Sequence, residues 1–185
     1  EAIDKCPVNN ATPWLVFIKN GTYTELLRIP STKPYIHLIG QDKMKTVITY
    51  KVHAAVDGND TKFSSTTLGV EGDDVTRINA SDFYAENISF ENAWGVETQS
   101  GPMALAIRNT ADRAAFYNCR FRSYQDTWYT DEDAVNNRTY ANNCWIEGAV
   151  DYFYGEGNAY IENTKFYNKR SGSVVTAPCH KAGTL

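Results

Sequence analysis

Two short stretches of this 185-residue chain hold the residue types that acid–base or nucleophilic chemistry requires. Ser123-Tyr124-Gln125-Asp126-Thr127-Trp128-Tyr129 and Gly148-Ala149-Val150-Asp151-Tyr152-Phe153-Tyr154-Gly155 each set one carboxylate among aromatic and small residues. Burial makes ionisation of such an acid costly and moves its pKa unless a partner offsets the cost. A lone aspartate of this kind is ordinarily a turn residue. Two of them at matching places in an internal repeat point instead to an acid/base pair.

The elements that must position the pair follow from that repeat. Tyr84 to Phe90, Phe116 to Phe121, Tyr140 to Ile146 and Tyr160 to Phe166 share one pattern, an aromatic, then Asn, then an apolar residue three positions after the Asn. The asparagines are Asn87, Asn118, Asn143 and Asn163, at spacings of 31, 25 and 20. Periods of this size mean a stacked array. Short alternating stretches such as Cys119-Arg120-Phe121-Arg122, with no helical stripe between repeats, predict a β-solenoid, read as a right-handed single-stranded parallel β-helix. Each Asn is expected at an equivalent turn, its amide bonding backbone groups that the bend leaves without partners. Asn87 is expected to be buried on this ladder.

An apolar content of 42% over 185 residues suffices for one core, so residues 1–185 read as a single domain of about eight coils. The net charge of −4 and a pI near 5.4 offer no basic field for nucleic acid or an anionic membrane, and no apolar run is long enough to span a bilayer. Cys119 and Cys144 occupy equivalent repeat positions, where two buried thiols and a bridge are both open readings. Sequons stand at Asn10, Asn20, Asn59, Asn79, Asn87 and Asn137. Asp57-Gly58-Asn59-Asp60 and Glu71-Gly72-Asp73-Asp74 read as solvated turns, with a weak calcium site as the open alternative. Thr130 to Asn137 reads as an acidic surface loop between coils. The separation of Asp126 and Asp151, 25 residues, is about one coil, which sets the carboxylates side by side on one face.

Gln-Asp-Thr-Trp-Tyr at 125–129, Glu-Gly-Ala-Val-Asp-Tyr-Phe-Tyr-Gly at 147–155 and Ala-Phe-Tyr-Asn-Cys at 115–119 resemble the signature segments of the pectin methylesterases, carbohydrate esterases that demethylate homogalacturonan. Upstream, Phe17 to Glu25, Ile36 to Gly40 and Thr46 to Ile48 continue the resemblance in the family's order, so it covers nearly the whole chain. It implies an opening strand and helix ahead of Glu1, further coils after Leu185 that carry an Arg and a Trp of the groove, and therefore a fragment cut at both ends. The start, Glu1 to Pro7, reads as the tail of a helix.

By the same resemblance Asp151 is the nucleophile, Asp126 the proton donor and later base, and Gln125 an oxyanion donor. Tyr129, Tyr154, Trp128 and Tyr152 are the rings expected against the sugar. Met103 stands where the family carries a second oxyanion Gln, and a thioether cannot donate a hydrogen bond. Gln99, four residues earlier, is the nearest amide. The implied protein is a secreted monomer acting on pectin in a cell wall or a bacterial periplasm, with no metal or other cofactor. The rival reading is a non-catalytic pectin-binding homologue. A galacturonase is expected to show Gly-His-Gly and an Asp-Asp pair; the chain has no Gly-His-Gly, and its Asp-Asp, at 73–74, falls in a loop stretch.

Overall fold

The structure, a computed structural model, describes residues 2–54, 73–130 and 137–178, with the backbone of 64–65 and 70–71. Each coil gives one strand to each of three parallel six-stranded sheets. The first sheet holds Trp14–Ile18, Ile36–Gly40, Tyr84–Glu86, Ala114–Tyr117, Arg138–Asn142 and Asn158–Glu162. The second holds Gly21–Thr24, Thr46–Tyr50, Ser89–Asn92, Arg120–Arg122, Trp145–Gly148 and Lys165–Asn168, and the third Leu27–Ile29, Asp74–Ile78, Leu105–Asn109, Trp128–Thr130, Phe153–Gly155 and Thr176–Pro178. Strand order in every sheet follows coil order, which makes the fold a parallel β-helix.

The described residues form six coils, not the expected eight or so, because the connections from the second to the third sheet are long in several coils. The first-sheet register passes from His37 to Tyr84 across one of them. The helix tail expected at the start is a single 3-10 turn, Ile3–Lys5.

In-register stacking of parallel strands, about 4.8 Å apart, sets like residues on like. The inward row of the second sheet is Tyr23, Ile48, Phe90, Phe121, Ile146 and Phe166. Phe90 and Phe121 stack at 5.6 Å and 11°. The third sheet's inward row includes Ile107, Trp128 and Phe153. Cys119 and Cys144 are neighbours in this core and both are free thiols, the Cys119 N–H donating to Cys144 Sγ at 3.4 Å.

The last four of the six corners between the first and second sheets each carry a residue with positive φ: Asn87 at 57°, Asn118 at 50°, Asn143 at 57° and Asn163 at 49°. Asparagine enters this left-handed region at lower cost than most residues. The expected ladder is therefore present, with two differences. Its amides bond one another rather than the backbone: Asn118 Nδ2 donates to Asn87 Oδ1 at 2.7 Å and Asn143 Nδ2 to Asn118 Oδ1 at 3.3 Å, while Asn163 Nδ2 reaches Asn142 Oδ1 at 3.4 Å. Asn87 is half-buried and Asn143 and Asn163 are exposed, because the corner lies at the rim of the coil. Asn137, by contrast, is 2% exposed and donates to the Asn109 and Ala111 carbonyls, which removes it as a glycan acceptor in the folded chain.

Asn118 accepts from Lys43 Nζ as well, at 2.7 Å. Asn118→Ala is expected to cost about 2–3 kcal/mol, from lost side-chain hydrogen bonds and a Cβ held at positive φ without compensation. Asn118→Gly should recover about 1 kcal/mol of that, since glycine is at ease there. Urea unfolding midpoints of the two variants check the order; an alanine variant as stable as the glycine one would contradict it.

Candidate active site

The second-to-third corner repeats the same backbone device with aspartate. Asp126 has φ of 59° and Asp151 of 44°. Gln125 pairs with Val150 in a parallel bridge, and the Asp126 N–H donates to the Val150 carbonyl at 2.9 Å. The two acids therefore occupy the same corner of successive coils, one strand spacing apart. Glycines frame the second segment: a Cβ on Gly148 would lie 2.3 Å from Tyr152 Cβ, and one on Gly155, at φ of 117°, 1.9 Å from the Thr130 carbonyl oxygen.

On the preceding coil the Ala104 N–H donates to the Gln125 carbonyl at 3.3 Å, which sets Met103 level with Gln125. The N–H groups of Ala106 and Ile107 both donate to the Thr127 carbonyl, and Ile107 pairs with Trp128. One extra residue is thus accommodated on this coil, a bulge beside the acids. Met103 is half-buried, lies just ahead of the strand rather than in it, and accepts from the Ala54 N–H at 2.9 Å. Gln99 does not reach across: its amide donates to the Val96 carbonyl within its own loop.

Asp126 is 5% exposed, whereas Asp151 is only half-buried. Burial pushes the Asp126 carboxyl up to about 7, with the charges of Asp151 and Asp73 adding to the effect; the Gln125 and Tyr154 side chains, which favour the ionised form, oppose it. Its buried Oδ1 has no hydrogen-bond partner among the described residues.

Tyr129 and Tyr154 lie on the outer face of the third sheet, in register with Arg108, which precedes them. The Arg108 guanidinium sits 4.7 Å from the Tyr129 ring centre, and the two tyrosine rings are 5.0 Å apart. Burial and the nearby Asp126 and Asp73 charges push the Tyr154 hydroxyl upward, so it stays protonated. Trp128 and Tyr152, expected against the sugar, face the core instead. Trp128 is fully buried against Phe116, Phe121 and Phe153, at 4.9, 4.1 and 5.6 Å. Tyr152 is fully buried and donates to Asn168 Oδ1 at 2.6 Å. Alternation along a strand permits one outward ring of each adjacent pair, and Tyr129 takes the outward place.

Asp73 and Asp74 are a correction as well: both are fully buried rather than solvated. Arg108 binds Asp73 at 3.2 Å and Asp74 at 3.3 Å, and Asp74 also receives Arg77 at 2.6 Å and Arg28 at 3.2 Å. Burial pushes the Asp73 carboxyl up, Arg108 opposing it. Residues 57–60, 71–72 and 131–136, in the other expected acidic loops, lie outside the described side chains. Among the described residues no group of three or more His, Cys, Asp or Glu is arranged to hold a metal ion.

Two further contributors were not singled out from the sequence. Asn92, fully buried, donates to the Val52, Asp73 and Leu105 carbonyls at 2.9, 3.2 and 3.0 Å and accepts from the N–H groups of Val52 and Trp94, tying the loops that flank the acids. Arg170 reaches the Tyr124 hydroxyl at 3.4 Å and stands 5.5 Å from its ring centre. The signal for Asn92 was an Asn ending the strand after a Phe-Glu pair; nothing local marked Arg170.

The site is thus a carboxyl pair on successive coils of a β-solenoid, level with a glutamine and beside outward tyrosines. The pectinesterase family model matches residues 1–181, and the chain belongs to the pectinesterase family. A pectinesterase of Petunia integrifolia is 39% identical over 89% of this chain and 40% of its own length. The carrot pectin methylesterase structure superposes with a TM-score of 0.83 at 27% identity, covering 100% of this chain and 54% of that one. A pectin methylesterase in complex with a hexasaccharide matches at 27% identity and a TM-score of 0.79, over 97% of this chain and 55% of that one. The coil is accordingly a right-handed parallel β-helix, and the chain spans about half the length of the proteins it matches, or less.

The raised Asp126 pKa has a stability consequence whose sign is fixed. Between an unfolded value of 3.8 and a folded value of about 7, the native chain holds a proton that the unfolded chain has released. Asp126 therefore makes stability fall with rising pH across that window, by up to about 1.4 kcal/mol per pH unit, and adds no slope above it. Asp126→Asn is expected to remove this slope and to be more stable than the parent at pH 8. Unfolding midpoints from pH 4 to 8 check it; parallel curves for parent and variant would contradict the buried, proton-holding acid.

Proposed function

We propose that the protein demethylates methyl-esterified homogalacturonan, outside the cytoplasm and as a monomer, by an aspartyl-ester mechanism. The observation that carries the reading is the asymmetry of the pair: Asp126 is buried and holds its proton to about pH 7, beside a more exposed Asp151 on the next coil. Two like acids in unlike environments divide the acid and base roles between them.

The Asp151 carboxylate attacks the C6 carbonyl carbon, forming a C–O bond while the carbonyl electrons move to oxygen. Gln125 donates to that oxyanion. Collapse of the intermediate breaks the bond to methoxide, which leaves as methanol with the Asp126 proton. Asp126, now ionised, takes a proton from the water that attacks the acyl-enzyme. The C6 acid leaves and loses its proton to solvent as galacturonate, Asp151 is regenerated as a carboxylate and Asp126 is again protonated. Tyr129 and Tyr154 offer ring faces to the pyranose, and Met103 lines the site level with Gln125.

A non-catalytic pectin-binding protein is the second reading, and Met103 is what favours it. An amide at this place would give the oxyanion a further donor, and loss of one such donor costs about 3 kcal/mol in other acyl-transfer enzymes. The two readings separate in one assay. Asp151→Ala and Asp126→Ala in the full-length protein are expected to abolish methanol release from esterified pectin, while Met103→Gln preserves or raises it. No methanol from the unaltered protein between pH 5 and 9, with pectin binding intact, would establish the binding protein instead.

A further inference from the structure

The outer face of the second sheet carries a built feature that the acid pair does not use. Register sets Arg120, Trp145 and Lys165 in one row across three successive strands, and Arg122, Glu147 and Tyr167 in the next. The Trp145 and Tyr167 rings are 5.1 Å apart at 32°. Lys165 Nζ stands 5.0 Å from the Trp145 ring centre and Lys169 Nζ 5.7 Å from that of Tyr167. Lys165 and Tyr167 are exposed.

Glu147 organises this face from beneath. It is 1% exposed and receives Arg120 at 3.0 Å, Arg122 at 2.9 Å, the Trp145 indole N–H at 2.6 Å and Lys169 at 3.7 Å. Burial works against its ionised form, but these donors outweigh it and hold its carboxyl below the usual range. Glu91 takes the remaining reach of Arg122 at 2.8 Å. Three cations, Arg120, Arg122 and Lys169, thus meet two carboxylates, and Lys165 stands beside them on the Trp145 ring, a surplus of positive charge on one face of a chain whose net charge is −4. Cations already fixed by a buried acid lose little freedom when an anion arrives. Rings beside fixed cations suit an acidic pyranose, whose faces pack on aromatics and whose carboxylate meets ammonium or guanidinium groups.

We propose that this face is a second binding surface, separate from the acid pair, for the de-esterified stretch of a galacturonan chain. The proposal rests on reading the protein as one that acts on pectin. The strand that supplies Trp145 and Glu147 ends at Gly148 and runs straight into the corner that carries Asp151, and the Lys169 N–H donates to the Gly148 carbonyl at 2.9 Å. Surface and acids therefore share an edge. Each ester removed adds a negative charge to the polymer, so the chain becomes a ligand for this face only after it has passed the acids.

The probe is fully de-esterified polygalacturonate, with affinity for the full-length protein measured at low and moderate salt. Lys165→Glu and Tyr167→Ser, both exposed positions, are each expected to weaken binding about tenfold. In Lys165→Glu the salt dependence should also flatten. For a short methyl-esterified oligogalacturonide that occupies the groove alone, kcat/KM should stay within about twofold of the parent. Asp151→Ala should abolish turnover and leave polygalacturonate affinity in place. Unchanged polymer affinity in both surface variants overturns the proposal, as does a matching loss of activity on the short substrate. A protein that releases no methanol, yet binds polygalacturonate through Lys165, would overturn the esterase reading and leave this surface standing.

Discussion

A coil that closes in three short strands must turn sharply three times, and here a residue in the left-handed region recurs at each kind of turn. Asn87, Asn118, Asn143 and Asn163 make one edge, Asp126 and Asp151 a second, and Tyr35, Asp82 and Arg113 the third. Parallel stacking then repeats each turn about 4.8 Å further along. The asparagine ladder and the acid pair are two uses of one constraint. On the first edge neutral amides donate and accept along the row, so stacking stabilises. On the second edge the stacked groups are carboxyls, so the same geometry adds like-charge repulsion to the burial that raises the Asp126 pKa. Like-charge contact, which the asparagine edge avoids, falls at the edge to which the proposed function assigns the chemistry.

The buried charges around the pair show how selective that is. Asp73 and Asp74 are fully buried with three arginines on them, and Glu147 is saturated by three cations and an indole. Each is held by partners whose removal would leave an uncompensated charge, a loss of about 3–5 kcal/mol. Asp126 is buried to a similar depth, and among the described residues no cation pairs with it and one of its oxygens has no hydrogen bond. Its compensation is the proton itself. Arg108 is engaged by Asp73, Asp74 and the Tyr129 ring.

Much of this was legible in the chain because solenoid stacking converts sequence repeats into spatial neighbours. The recurring Asn and its apolar partner gave the coil period, and the 25-residue interval placed Asp126 beside Asp151. What failed depended on contacts between segments without a shared pattern. The long second-to-third-sheet connections broke the period and lowered the coil count. Asp73 and Asp74 looked like turn residues because two of their partners, Arg28 and Arg108, lie on other strands and meet them only through the third-sheet register, while Arg77 follows Asp74 on its own strand. Trp128 and Tyr152 were misplaced because motif membership says nothing about which way a strand residue points; the corner at Asp126 and Asp151 resets the alternation. The pectinesterase resemblance fixed the family, while orientation within the motif had to come from the fold.

Met103 is the residue on which the site's chemistry turns, and its setting narrows the choices. It is level with Gln125, beside a bulge, and its carbonyl is tied to Ala54. Gln99, the nearest amide in sequence, is committed to Val96. The backbone that carries Asp151 is set by the Gln125–Val150 bridge and the glycines at 148 and 155, so on the proposed reading the loss of a donor at 103 leaves the attack geometry in place. It weakens only stabilisation of the charge that develops on the carbonyl oxygen. For the proposed substrate, a thioether in its place would also add apolar surface that favours the neutral methyl-esterified unit over its charged product in the ground state. On the proposed reading, a methionine here trades transition-state charge stabilisation for discrimination at binding and leaves the proton transfers assigned to Asp126 as they were.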